Sequence, residues 1–364
     1  MKLAGAVSRA WTLPGSWYTD PAVFAEEKRR VFHHAWQYAG AAAAVAVPGD
    51  FVTTRAGDVP LVVVRAADGA LNAFVNVCRH RGAEVVLDAS GNRRSLQCHY
   101  HAWTYGLDGK LRAAPGEREQ ADFDKSEFSL HPAQAETWGP FLFVTPDVDA
   151  APLAEVLGEL PAIVAASGLD LEGLRLREST DYDTAANWKA IVDNQLECYH
   201  CPVAHPAFMT LVDTDDYTTE AHPTFTVQRG KVRDSARDGS GPYRVAAGVE
   251  DSFYVFLWPN FALNVYPGPG NVSVNVYVPL AHDRTLARYD YYFADAVSDE
   301  ELAEFVGFVD QVQREDIVLC ESVQRGLSSG FYDRGRLIAG REDGLRHFQA
   351  LVQHALAGAP DLAG

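Results

Sequence analysis

Positive charge is scarce in this sequence: 31 Lys and Arg stand against 49 Asp and Glu, a formal net charge of -18. Nucleic acid is a poor match for such a surface, because binding phosphates requires a basic face. A cationic small molecule or a basic protein partner is compatible with it. No run approaches the ~20 apolar residues that span a bilayer. The apolar stretch Ala39 to Val47 is Ala-rich and is stopped by Pro48-Gly49-Asp50. Met1 to Trp11 lack the basic-then-apolar order of a secretory leader. Cysteine is sparse and odd in number, five in all, which is no disulfide framework. A soluble protein of the reducing cytoplasm is therefore expected. There is no strand-Gly-x-Gly-x-x-Gly-helix unit, so no dinucleotide site is expected in the chain itself. Internal repeats and low-complexity linkers are missing too. What remains is ordinary for a globular protein: 47% hydrophobic and 22% charged residues over 364 positions, room for two or three domains.

Two short stretches stand out against that background. Cys78-Arg79-His80-Arg81-Gly82 offers a thiol and an imidazole as Cys-x-His, and Cys98-His99-Tyr100-His101-Ala102-Trp103 offers the same pair as Cys-x-x-His. Thiolates suit soft metals and iron–sulfur clusters, and imidazole suits zinc, copper and iron. Two Cys on one iron and two His on the other make a Rieske [2Fe–2S] site, whose His ligands raise its potential. A structural zinc ion also accepts two Cys and two His, but zinc fingers more often keep like ligands together on one arm. Mixed arms favour iron, with Cys78, His80, Cys98 and His101 as ligands. His99 is read as a loop histidine.

A second constellation follows at Glu197-Cys198-Tyr199-His200-Cys201-Pro202-Val203-Ala204-His205, with two imidazoles five positions apart. A carboxylate would complete a 2-His-1-carboxylate triad, which leaves positions open for O₂ on non-haem Fe(II). Asp316 is the best candidate. Val312, Ile317 and Leu319 look buried around it, and an inward carboxylate needs a metal or a partner. Glu315 and Glu321 lie close by in the sequence. The same residues admit blander readings: a pair of satisfied core histidines, or zinc or thiol–disulfide chemistry at Cys198-x-x-Cys201. Coupling lifts the iron reading, since a cluster that delivers electrons suits a ferrous centre that consumes them.

Along the chain, Asp20-Pro21 reads as an N-cap and first helical residue, opening a helix that carries the adjacent His33 and His34. Those two face different directions and are read as ordinary histidines. Residues 38 to about 146 read as short strands, with hairpin signals at Asp68-Gly69 and Asp108-Gly109. Leu153 to Leu169 reads as a helix interrupted near Pro161. A strand over 174–184 and a helix from Asn187 to about 200 follow. Residues 223–293 are again β-rich, and Asp299 to Leu327 is strongly helical. The expected fold class is α+β. A small all-β domain over 38–150 is inserted between residues 1–37 and 151–364, which build an antiparallel sheet flanked by helices.

Taken together, Cys78-Arg79-His80-Arg81-Gly82, Cys98 through Tyr105, and Asn187-Trp188-Lys189 through His200 to His205 resemble the large subunits of Rieske non-haem iron oxygenases, over nearly the whole length. Three positions depart from that family's usual pattern: His99 where Pro is common and Ala102 where Gly is common, neither of them a ligand position, and Glu197 where ring-hydroxylating members usually have Asp. The resemblance implies a helix-grip-like catalytic domain, iron ligands His200, His205 and Asp316, and Glu197 as a carboxylate bridging to the cluster of a neighbouring subunit. It implies a homotrimer served by a separate NAD(P)H-dependent reductase of flavin or ferredoxin type. Glu197-Cys198-Tyr199-His200-Cys201-Pro202 looks most like the branch that oxidises quaternary or N-methylated amines. Aromatics of the β-rich stretch (Phe253, Tyr254, Phe256, Trp258, Phe261, Tyr266) could then supply a cation–π box, with Trp258 and Tyr266 as candidates and Asn264 as a polar contact. Aromatics at strand spacing are otherwise core. The implied reaction is hydroxylation of a C–H next to nitrogen, leading to N-demethylation or C–N cleavage. Ring hydroxylation of an aromatic substrate, and a Rieske electron carrier without oxygenase activity, are the competing readings.

Overall fold

A computed structural model describes residues 11–357 of the chain. These divide into two compact units, one of Lys28–Glu155 and one formed by the segments up to Glu27 and from Val156 onward. The first boundary falls at Lys28 and not near residue 38. Helix α1 (Pro21–Glu27) ends there and the chain continues as a π-helical turn over Lys28–Phe32. Asp58 draws that turn into the β unit, pairing with Lys28 Nζ at 2.9 Å and His33 Nε2 at 2.6 Å. His34 pairs with Asp147 at 2.7 Å. Both histidines thus take separate surface carboxylates, as side chains pointing different ways should.

In the unit of residues 28–155 a seven-stranded antiparallel sheet comprises β1 (Gln37–Ala41), β2 (Asp50–Ala56), β3 (Val59–Arg65), β4 (Leu71–Val75), β5 (Ser90–Asn92), β9 (Pro132–Trp138) and β10 (Phe141–Thr145). Its order is β1-β10-β9-β4-β3-β2-β5, and β6 (Leu96–Gln97), β7 (Thr104–Tyr105) and β8 (Leu111–Ala113) form a small separate sheet. Strand β3 shows why the unit holds together. Leu61 and Val63 enter one apolar cluster, with Val52, Leu142 and Val144. Val62 and Val64 enter a second, with Phe51, Phe74, Leu96 and Tyr105. The strand period of two sends alternate residues to opposite faces. Gly109 turns between β7 and β8 at φ +76°, and a Cβ there would sit 2.4 Å from the Phe74 ring, so only glycine fits.

The other unit is built on a seven-stranded antiparallel sheet ordered β11-β17-β16-β15-β14-β13-β12. Its strands are β11 (Leu174–Thr184), β12 (Val212–Ala221), β13 (Phe225–Val232), β14 (Ser252–Leu257), β15 (Phe261–Tyr266), β16 (Asn271–Ala281) and β17 (Arg284–Ala294). From Leu153 towards β11 the chain runs through two short helices, α2 (Leu153–Leu157) and α3 (Leu160–Ala166), with the break just before Leu160-Pro161. Helices α4 (Trp188–Gln195), α5 (Cys201–Ala204) and α6 (Phe208–Leu211) fall between β11 and β12, and α7 (Asp299–Ser328) and α8 (Asp343–Leu356) follow the sheet. Asn187 caps α4 by accepting from Lys189 N at 2.9 Å, and Ser298 with Glu301 forms a capping box on α7. The fold class is α+β, with antiparallel sheets in both units.

The central strands of this sheet are buried on both faces. On β16 the alternation Asn271-Val272-Ser273-Val274-Asn275-Val276 sends valines to one face and polar residues to the other. Register carries the polar row across the sheet: Tyr254 pairs with Gln228 and Asn264, Asn264 with Ser273, and Asn275 with Tyr289. A buried polar face is costly without partners, and it marks where the site lies. No helix among the described residues is long and apolar enough to cross a membrane.

Candidate metal centres and substrate cavity

In the first unit, two loops of matching construction present the four sequence-predicted cluster ligands. After β4, Gly82 N returns to the Cys78 carbonyl at 3.0 Å; after β6, Ala102 N returns to the Cys98 carbonyl at 3.0 Å. Both turn-closing residues have left-handed backbones, Gly82 at φ +74° and Ala102 at φ +59°. Cys78 and Cys98 are buried, 3% and 2% exposed, whereas His80 and His101 lie at the surface. The two imidazole rings stand edge to face with centroids 4.6 Å apart, and Trp103 stacks on His80 at 4.9 Å. Tyr105 Oη lies 3.3 Å from Cys78 Sγ and accepts from Arg79 N at 3.0 Å. Burial pushes the Cys98 thiol up, and the Cys78 thiol beside it pushes the same way. Two sulfurs pressed together inside and two imidazoles outside fit a [2Fe–2S] cluster held by thiolates on one iron and imidazoles on the other.

In the second unit, His200, His205 and Asp316 each bring one ligand atom to a common point, all within 4.8 Å of one another. Helix α4 ends at Gln195, and Glu197 to His200 form the turn into α5, which places His200 and His205 at its two ends. Asp316 comes from the middle of α7. His200 Nε2 and His205 Nε2 lie 3.1 Å apart, and Asp316 Oδ1 is 3.0 Å from His205 Nε2 and 3.5 Å from His200 Nε2. The outward nitrogens are held as well. Glu197 Oε1 accepts from His200 Nδ1 at 2.5 Å, and Glu315 Oε2 from His205 Nδ1 at 2.8 Å. Carboxylates at Nδ1 fix the tautomer and turn the Nε2 lone pairs inward, the arrangement of a ligating histidine. Burial by itself would lower the His200 pKa; the Asp316 and Glu197 carboxylates outweigh it and raise it to about 9. His205 is raised by Asp316 and Glu315 against the same burial. Groups that draw a proton onto these lone pairs also draw a divalent cation, which competes for them. The donor set fits a ferrous ion with open positions.

Cys198 and Cys201 are joined by a disulfide that closes a loop around Tyr199 and His200. The expectation of reduced thiols does not hold at this pair, and neither sulfur belongs to the donor group of His200, His205 and Asp316. A zinc site using both cysteines is not assembled. Of the other acids near Asp316, Glu321 turns away and accepts from Ala185 N at 3.1 Å.

A cavity opens from the three ligands onto the polar sheet face, lined by Phe208, Tyr217, Tyr254, Asn264, Tyr266 and Asn275 among others. Tyr254 and Tyr266 meet edge to face at 5.4 Å, and Tyr217 stacks on Tyr254 at 6.5 Å. Asn264 and Tyr266, two of the three substrate candidates, are among the residues that line it. Trp258 does not, and the expectation is corrected there. It shares the parity of Tyr254 but lies past the end of β14, where Phe348 of α8 (5.9 Å) and Trp188 (6.4 Å) cover it. Sequence reasoning did not single out Tyr217 or Asn275. The alternation on β16 marks Asn275; Tyr217 carries no such signal, because β12 bulges between Asp213 and Thr218.

The comparisons with known proteins divide along the same chain. Residues 35–124 match the Rieske [2Fe-2S] domain, and residues 171–358 match the ring hydroxylating alpha subunit (catalytic domain). The chloroplastic choline monooxygenase of Spinacia oleracea is 35% identical, over 95% of this chain and 79% of its own. The carnitine monooxygenase oxygenase subunit of Escherichia coli K12 is 35% identical over 94% of this chain and 93% of its own. A quaternary ammonium Rieske monooxygenase solved with L-carnitine superposes with a TM-score of 0.84 at 32% identity, covering 95% of this chain and 96% of the other. Naphthalene 1,2-dioxygenase from Rhodococcus shares the fold at TM-score 0.79 and 19% identity, covering 96% and 95%.

Proposed function

The chain belongs to the Rieske non-haem iron oxygenases, and on that premise we propose that it is a terminal oxygenase acting on a quaternary or N-methylated amine. In this reading Cys78, His80, Cys98 and His101 hold the [2Fe–2S] cluster, and His200, His205 and Asp316 hold the mononuclear iron. When bound, the cluster supplies electrons one at a time and the ferrous ion supplies a centre that activates O₂. Glu197 and Glu315 keep the ligand imidazoles oriented through Nδ1. Glu197, beside His200, is assigned the contact with a neighbouring subunit in a cytoplasmic homotrimer. Electrons come from a separate NAD(P)H-dependent reductase of flavin or ferredoxin type.

One observation carries the substrate class: the cavity beside the three ligands joins tyrosine rings to carboxylates. The rings of Tyr217, Tyr254 and Tyr266 offer π faces to an ammonium group, and Glu197 and Asp316 make the surroundings negative. Such a seat holds an N-methyl or N-methylene carbon near the open side of the site, where hydroxylation of the C–H leads to N-dealkylation. The carnitine and choline monooxygenases among the relatives support this choice. The test is turnover with reductase, NAD(P)H and a panel of quaternary and N-methylated amines, with aldehyde release measured. Aldehyde formation with at least one amine is expected. Hydroxylation of arenes with no amine consumed would overturn the reading in favour of ring hydroxylation. Cluster reduction with no O₂ uptake on any substrate would indicate an electron carrier.

A further inference from the structure

The two loops of the first unit are held unequally, and the hold on the first comes from residues that follow the second. Tyr105 Oη accepts from Arg79 N at 3.0 Å and lies 3.3 Å from Cys78 Sγ. Arg79 Nη1 donates to the Ser129 carbonyl at 2.9 Å. Trp103 lies flat on His80, with ring centroids 4.9 Å apart and planes within 7° of parallel. Among the described residues, the rings that stand against His101 are His80 at 4.6 Å and its own chain neighbour Tyr100 at 3.9 Å.

The indole is itself fixed. Trp103 is 7% exposed, although His80 lies at the surface. Phe123 and Phe128 stack on each other at 4.9 Å, and both meet the indole edge to face, at 5.6 and 5.7 Å. Asp124 accepts from Ser126 N at 2.9 Å and Lys125 pairs with Glu117 at 2.9 Å, so the segment that carries both phenylalanines is clipped to itself. Turning the indole would require both rings to move, and its face on His80 therefore keeps one orientation. Ligand histidines are normally oriented by a hydrogen bond at the ring nitrogen away from the metal. His200 and His205 have that hold, from Glu197 and Glu315. Among the described residues no side chain is hydrogen-bonded to the His80 ring, and the stacked indole takes that place.

We propose that Trp103 is a positioning residue for the electron-delivering site: its indole fixes the His80 imidazole and holds the reduction potential of the cluster down. Two effects act in the same direction. Reduction adds a negative charge, and an apolar ring that keeps water off the imidazole face disfavours that charge. The face of an indole is also the negative side of its quadrupole, which again favours the oxidised state. A lower potential makes the cluster a stronger electron donor toward the mononuclear iron. This rests on the assignment of Cys78, His80, Cys98 and His101 to a [2Fe–2S] cluster, and adds how one of the four ligands is tuned.

The test compares the natural protein with Trp103→Phe and Trp103→Leu and needs no turnover. The visible spectrum reports the cluster, and a dye-mediated redox titration reports its midpoint. Pulsed EPR of the reduced form, in protein grown on isotope-labelled histidine, reads the nitrogen couplings of the two imidazoles. Trp103→Leu removes the aromatic face and is expected to raise the reduced-to-oxidised ratio at a fixed potential by about three- to tenfold, tenfold being about 59 mV for one electron. One of the two nitrogen couplings should change and the other hold. Trp103→Phe restores an aromatic face and is expected within about twofold of the natural protein. An unchanged midpoint in Trp103→Leu, or an equal shift in both variants, would overturn the proposal. Loss of the cluster from both variants would overturn it too, leaving Trp103 a packing residue. Loss from Trp103→Leu alone, with natural values in Trp103→Phe, would support it. A natural protein without a Rieske spectrum would instead sink the cluster assignment on which the proposal stands.

Discussion

Glu315 Oε2 lies 2.8 Å from Nδ1 of His205, on the side of the ring away from the ligand edge. Its chain neighbour Asp316 meets Nε2 of the same ring at 3.0 Å. One imidazole is thus gripped from both nitrogens by consecutive acids of α7. Glu315→Ala should loosen the ring without removing a ligand atom, lowering iron affinity by about 10- to 100-fold. Competition with a chelator reads this, and the visible spectrum of the Rieske cluster should be unchanged because its ligands lie in the other unit. Asp316→Ala removes a proposed ligand and should leave the mononuclear site unable to retain iron under the same conditions. Equal iron retention in both variants would refute the assignment.

Lys189 and Glu27 form an ion pair at 2.5 Å in which neither side chain is exposed, and Trp188 Nε1 and Asn187 Oδ1 complete their bonding at 2.8 and 2.9 Å. A buried charge left without its partner is strongly destabilising. Lys189→Met is expected to cost about 3–5 kcal/mol in urea unfolding. Adding Glu27→Met to it should recover part of that loss, because the stranded carboxylate goes too. A double variant less stable than Lys189→Met would contradict this.

Asp193 accepts from Tyr18 Oη at 2.5 Å and from Gln349 Nε2 at 3.1 Å. Burial pushes its carboxyl up to about 7, against those two bonds and the charge of Lys189. The folded state therefore keeps a proton that the unfolded chain releases near pH 4. The stabilisation is fully present below about pH 4 and is lost as pH rises to about 7, with a slope of at most ~1.4 kcal/mol per pH unit. Asp193→Asn should flatten the stability profile across that window in pH-resolved denaturation. An unchanged slope would place the titration elsewhere.

Ala102 closes its cluster loop at φ +59°, where the matching loop has Gly82 at +74°. A left-handed alanine carries a steric penalty that glycine does not, partly offset by the greater freedom of glycine in the unfolded chain. Ala102→Gly should stabilise the loop by about 0.5–1 kcal/mol. The check is thermal bleaching of the cluster absorbance, which should move to higher temperature; a lower bleaching temperature would show that the Cβ makes a contact worth more than the strain.

How far the site could be read from the sequence depended on how local each part is. The proposed cluster ligands are fixed by spacing within two short loops, and His200 and His205 by spacing across one turn, so their residue types and intervals are visible in one dimension. Asp316 could be proposed from the apolar residues around it, but nothing in the sequence says that Glu315 would take Nδ1 of His205, since the direction of each acid follows from how α7 lies. Trp258 and Tyr254 belong to one β-rich stretch and share a parity. Only α8, arriving late in the chain with Phe348, decides that the first is roofed over and the second opens on the cavity. The buried Lys189 is likewise invisible until Glu27 comes to it from the other end of the sequence.

The pair at 315 and 316 sets a narrow mechanical tolerance on α7. One residue inserted or deleted between the capping box at Ser298 and this pair turns everything beyond it by about 100° about the helix axis. The ligating and ring-gripping carboxylates would then swing off the imidazole together, and no substitution of one for the other restores the fit, because their arms differ by a methylene. The first half of α7 is therefore a ruler whose length in residues is fixed by the metal, even where its outward side chains are free to vary.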